Sequence, residues 1–131
     1  VDPTQVVPEN SIITFASQAT ASWEVGLDFT VSAKTMPAEP TLQSGSTQGV
    51  QKRILQVDAL VHDTQDLKIN NQQIAFRNLG QSLDTPISEF TGTKTAHALL
   101  GYTKSGQITI TQSVPLKMNV LGLEYKMSVG N

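Results

Sequence analysis

Residues 101–131 read GYTKSGQITITQSVPLKMNVLGLEYKMSVGN. Ile108 and Ile110 fall on one side of an extended chain and Thr109 and Thr111 on the other, Pro115 interrupts, and Leu121, Leu123, Tyr125, Met127 and Val129 again recur every second residue. A period of two is a strand period, so the stretch predicts two strands joined at a proline step. The stiff β-branched residues extend this reading to the whole chain. Val, Ile and Thr make up 34 of the 131 residues, and their restricted side chains fit a pleated backbone better than a helix.

Upstream, residues 52–62 form the longest regular candidate, with Leu55, Val57, Ala59 and Val61 on one face and Gln56, Asp58 and His62 on the other. One dry face and one wet face predict an antiparallel sheet, because a parallel sheet covered by helices shows a continuous apolar run. Segments 67–69 and 74–76 flank NNQQ, whose asparagines tolerate the positive φ of a tight hairpin turn. Segments 96–102 and 107–112 flank TKSG, which predicts a second hairpin turning at Ser105 and Gly106. Shorter strands are expected at 12–15, 19–24 and 27–33, with Gly26 at a bulge or bend. Residues 37–50, punctuated by Pro37, Pro40, Gly45 and Gly49, read as an irregular loop of the kind that meets partners. No capped helix of ten residues is visible. The expected fold is therefore all-β: an antiparallel β-sandwich or partly open barrel of seven to nine short strands. Residues 1–131 make one domain, of which 1–10 look like a linker.

Leu, Ile, Val and Phe supply 35 residues, more than the fifth of the chain below which a charged sequence stays disordered. The net charge of -2, with basic and acidic residues scattered singly, offers no footprint for a phosphate backbone or an anionic membrane. No apolar run approaches the roughly 18 residues of a membrane span, which predicts a soluble protein or a soluble piece of one. Without cysteine there are no disulfides and no thiolate metal sites.

Chemistry finds little purchase. The run HDTQD at 62–66 is the most tempting metal or catalytic cluster, together with Asp58 on the face of His62. Four residues of strand separate Asp58 from His62 by about 13 Å, too far for one ion to bridge. A strand end entering a polar turn explains the run more cheaply, since Asp is itself a turn residue. Neither His62 nor His97 has the context of a general base, no G-x-S-x-G elbow occurs, and no glycine order cradles phosphate. Catalytic, cofactor-binding and metal residues are each expected to be none, and the chain is expected not to be an enzyme. Trp23, Tyr102 and Tyr125 lie on separate strand candidates, where each fills core or interface volume instead of forming a sugar-stacking platform.

The segments EVGLDFTVSAKTMP (24–37), GVQKRILQVDALVHDTQDLKIN (49–70) and FTGTKTAHALLGYTKSGQITITQSVPLKMNVLGLEYKMSVG (90–130) follow one another in an order that resembles the C-terminal region of short-tailed phage tail hub proteins, also called nozzle or tail tubular B proteins. Gly26, Pro37, Lys52, Arg53, Thr91, Gly92, Gly101, Gly106, Pro115, Leu116, Val120, Leu121 and Gly130 fall on the marks of that family, and Lys117 stands where its closing segment has a second proline. Members of the family run to several hundred residues with propeller-like β domains, so the chain is expected to be a piece of such a protein.

The resemblance implies a virion component of the phage tail, made in the bacterial cytoplasm and assembled as a ring, in that family a hexamer. Such a ring extends the tail channel between an adaptor and the distal tail parts or fibres. The isolated domain is expected to be monomeric in solution. Specific nucleic acid and membrane insertion are not expected. The alternative reading is a β-sandwich module that binds carbohydrate or a cell-surface ligand, and a third is a small hydrolase or metal enzyme built on His62, Asp63 and Asp66.

Overall fold

A computed structural model of the chain describes residues 29–83, 85–97 and 101–130. Among these residues nine strands and no helix are found: β1 (Val31–Lys34), β2 (Thr41–Leu42), β3 (Gly45–Ser46), β4 (Lys52–Thr64), β5 (Lys68–Ile69), β6 (Gln72–Gln73), β7 (Phe90–His97), β8 (Thr109–Gln112) and β9 (Val120–Val129). Every ladder is antiparallel. The expected all-β class is therefore observed, with the strands gathered into sheets of order β1-β8-β5-β6, β2-β3 and β7-β4-β9. The strand candidates at 12–15 and 19–24, the first two residues of that at 27–33, Gly26 and Trp23 lie outside the described residues, and β1 covers the end of the 27–33 candidate.

The two larger sheets face each other across one apolar layer. Val57, Ala59 and Val61 of β4 and Ala96 of β7 share one buried cluster with Ile69 and Ile110 of the other sheet and with Leu67, Ile74 and Ile108, which flank its strands. Phe76, Phe90, Met118, Val120 and Leu123 close the margins. Each fully buried Ile or Leu contributes about 1.5–3 kcal/mol relative to leaving it in water. Sequence reaches this arrangement through the strand pleat, which turns Ile108, Ile110 and Gln112 inward and leaves Thr109 and Thr111 toward solvent.

Simple alternation fails along β4. Its buried positions are Lys52 and Ile54, then Val57, Ala59 and Val61, then Thr64, so the phase slips twice. The first slip lies between Ile54, opposite Met127, and Gln56, opposite Lys126. Leu55 is the extra residue of a bulge and is turned outward, 45% exposed, where the reading of 52–62 put it on the dry face with Val57. The second slip lies between Val61, opposite Gly92, and Thr64, opposite Phe90, and Asp63 takes the left-handed φ of 45° there. β9 carries its own extra residue, Leu121, between Val120 and Gly122. Leu121 is consequently 65% exposed, and Val120 and Leu123 reach the core, correcting the unbroken alternation expected from 121 to 129.

The turns follow local chemistry. Asn70 and Asn71 hold φ of 48° and 67°, the two left-handed residues of a type I′ turn between β5 and β6. The strand after that turn is Gln72–Gln73, which replaces the expected 74–76. The TKSG turn is present, closed by Gly106 N–H donating to Thr103 Oγ1 at 3.0 Å, but the described residues of its flanks do not pair with each other. Thr103 pairs with Lys52, and β8 pairs with β1 and β5. At the proline step Leu116 N–H donates to Val114 O at 2.8 Å, a γ-turn that suits the fixed φ of Pro115 and carries the chain from one sheet to the other. The 37–50 loop contains the β2–β3 hairpin, clasped by Thr47 Oγ1 donating to Pro40 O at 2.8 Å.

The bulge assignment separates two neighbouring residues of similar size. Ile54→Ala is expected to cost about 2–5 kcal/mol in urea unfolding, whereas Leu55→Ala is expected to stay within about 1 kcal/mol. Equal losses at the two positions would contradict the phase slip.

Candidate interaction surface

The outer face of the β7-β4-β9 sheet follows from its registers as three rows. His97, Gln56 and Lys126 form the first, Thr95, Asp58 and Glu124 the second, and Thr93, Leu60 and Gly122 the third. The bulges add Leu55 beside the first row and Leu121 beside the third. A polar centre thus lies between leucines, with Leu60 46% exposed beside the more exposed Leu121. Among the described residues, neither β7 nor β9 has a strand on its outer side. Backbone groups on such an edge are a template for a further strand.

Asp58 organises the centre. Its Oδ1 accepts from Thr95 Oγ1 at 2.5 Å and its Oδ2 from Gln56 Nε2 at 2.7 Å. The Thr95 hydroxyl holds the carboxyl below the usual carboxylate range. Partial desolvation works against this, while the Gln56 amide and the charges of Lys126 and His97 add to it. Glu124 sits directly across from Asp58, a like-charge pairing that Lys126 in the adjoining row offsets. Both oxygens of Asp58 are occupied by donors, so its role is to fix neighbouring side chains.

The HDTQD run is dispersed by the second bulge. His62 and Asp63 are half exposed, with Nδ1 and Oδ2 3.5 Å apart. Asp63 is tied to β7, accepting from Thr91 Oγ1 at 3.0 Å while its N–H donates to the same oxygen. Thr64 is buried and exchanges hydrogen bonds with the backbone of Asn119. Asp66 is 7% exposed, and its Oδ1 accepts from Gln73 Nε2 at 2.7 Å. The strand thus continues through Thr64, two residues past the expected end at His62. His97 lies opposite Gln56, about 20 Å along the sheet from His62. No group of three His, Asp or Glu side chains placed to hold an ion occurs among the described residues. Tyr102 and Tyr125 are 52% and 41% exposed, so neither is core, and the Tyr102 ring lies against Gly130.

Lys52 was legible only as a mark in the ordered motifs, and its environment is distinctive. Its side chain is wholly buried, its stem packs under Gly106, and Nζ reaches Glu39 Oε1 at 3.0 Å and the Lys104 carbonyl at 3.4 Å. A buried ammonium requires such partners. The pair therefore ties the 37–50 loop to the start of β4. Lys94 caps the opposite margin of the core, with Nζ over the rings of Phe90 and Phe76 at 4.3 and 5.1 Å.

Comparison with protein-family models, with curated proteins and with solved structures finds no match for the chain. No helix among the described residues is long and apolar enough to cross a membrane.

The depressed pKa of Asp58 fixes a sign. The stabilisation is present above the unfolded carboxyl value of about 3.9 and is lost as pH falls through the lower folded value. In Thr95→Val the Asp58 pKa read by NMR titration is expected to rise toward that ordinary value and the acid limb of stability to flatten. An unchanged pKa would remove Thr95 as the main cause.

Proposed function

We propose that the chain is a structural component of a short bacteriophage tail, from the hub or nozzle ring, and that it works by holding neighbouring subunits in place. The observation that carries this reading is the leucine-flanked outer face of β7-β4-β9, whose two outer strands have no further strand beside them among the described residues. Leucines set outward by bulges lie where a subunit interface buries them, around a centre able to form directional hydrogen bonds. Leu79 and Leu83, on the segment before β7, are exposed as well.

The ordered motifs support the same reading through the positions they occupy. Lys52 is the buried cation of the loop anchor, and Gly92 holds a φ of 143° under the Phe90 ring. Gly106 holds a φ of 54°, and Pro115 forms the crossing between sheets. In this role the ring partners are copies of the same chain, with adaptor, fibres and distal tail parts above and below. A stable contact of this kind buries roughly 800 Å² on each side. An isolated copy without its neighbours is a monomer.

Gold-labelled antibody against this domain, applied to the source particles in the electron microscope, tests the proposal. Label at the tail is expected, and label on the head or on no particle would contradict it. Leu60→Asp with Leu121→Asp is expected to fold with an unchanged circular dichroism spectrum while losing incorporation into particles.

A further inference from the structure

A second surface lies on the other sheet. A cleft of about 270 Å³ opens where the end of β1, the β5–β6 turn and the segment leading into β8 meet. Every residue that lines it is polar or charged in type, among them Lys34, Asn70, Asn71, Ser105, Gln107 and Thr109. Lys34 and Thr109 are register partners, and Asn70 follows Ile69, the partner of Ile110, so three strands bring these side chains to one sheet end.

The frame is rigid. Thr35 N–H donates to Ile108 O at 2.9 Å, Ile108 N–H donates to Thr35 Oγ1 at 3.0 Å, and Gln107 Nε2 donates to Thr35 O at 3.0 Å. Asn70 is clamped twice: its N–H donates to Thr109 O and its Oδ1 accepts from Thr109 N–H, both at 2.8 Å. Its remaining group, Nδ2, is buried and has no acceptor. A buried amide donor without a partner is costly and rare, and the residue that carries it lines the cleft. Lys34 supplies the only charge in the lining, and its ammonium makes no ion pair with the described residues.

We propose that this cleft binds a single acidic sugar residue, a uronic or sialic acid, with its carboxylate on Lys34 and its hydroxyls among the amides and hydroxyls of Asn70, Asn71, Gln107, Ser105 and Thr109. One cation among many neutral donors and acceptors matches one carboxylate on a hydroxyl-rich ring. A phosphate group carries roughly twice that charge and calls for an arginine cluster or a fan of backbone N–H groups. The volume lies just below the usual range of about 300–1,000 Å³ for small-molecule pockets, which suits one ring. The lining contains no aromatic face, so recognition does not use ring stacking. The site is separate from the leucine-flanked face and does not depend on the tail reading.

The test is a ¹H–¹⁵N NMR titration of the whole chain with sodium glucuronate and with N-acetylneuraminate, against glucose and sodium acetate as controls. Saturable shifts at Asn70, Asn71 and Thr109 are expected with at least one acidic sugar. Glucose and acetate are expected to bind at least roughly tenfold more weakly, the value of one charge-assisted hydrogen bond. In Lys34→Gln, whose spectrum elsewhere reports an intact fold, the acidic sugar is expected to fall to the level of glucose. No saturable shift at these residues, equal binding of acetate or glucose, or an unchanged affinity in Lys34→Gln would each overturn the proposal.

Discussion

The side-chain pleat of β4 is the constraint on which the rest of the molecule depends. A strand turns successive side chains to opposite faces, so thirteen residues in a single phase would send either Ile54 or Val57 to solvent. Bulges at Leu55 and around Asp63 reset the phase and let Lys52, Ile54, Val57, Ala59, Val61 and Thr64 all face inward. Each reset displaces an extra residue. β9 makes a matching adjustment at Leu121, so a device that completes the core also places leucines on the surface. Core and leucine-flanked outer face are thus two consequences of one register.

Much of this architecture was legible in the chain. The β-branched composition and the alternation through Ile108, Ile110 and the strand around Val57 indicate antiparallel sheets, and Asn70–Asn71 mark a left-handed turn. The bulges left a weaker signal in the adjacent apolar pairs Ile54–Leu55 and Val120–Leu121, which break strict alternation. Reading through them put Leu55 and Leu121 on the wrong face. The partners of β8 were beyond local pattern, because the TKSG turn looks like any hairpin turn until Lys52 claims Thr103 and β8 joins β1. The polar cleft was also hidden, since Lys34, Asn70 and Thr109 are far apart in sequence and meet only through those pairings.

Polar groups do as much as apolar ones to fix the arrangement. The buried Lys52 ammonium draws Glu39 and the Lys104 carbonyl onto the start of β4, holding two loops against one strand. Buried Thr64 joins the second bulge to Asn119, and buried Gln112 donates to Leu116 O at 2.6 Å across the proline step. The exposed pair Lys117–Glu89, by contrast, adds little in water. A scaffold held by such directional contacts keeps its surfaces in constant geometry.

Native-state hydrogen exchange measures the central claim most directly. If β4 is the spine shared by the ladders to β7 and β9, the amides of residues 56–61 exchange last and only through global unfolding, after those of β1, β5 and β8. Protection persisting at Ile69 and Ile110 after the centre of β4 has exchanged would show that the four-stranded sheet stands without it, and would contradict this account.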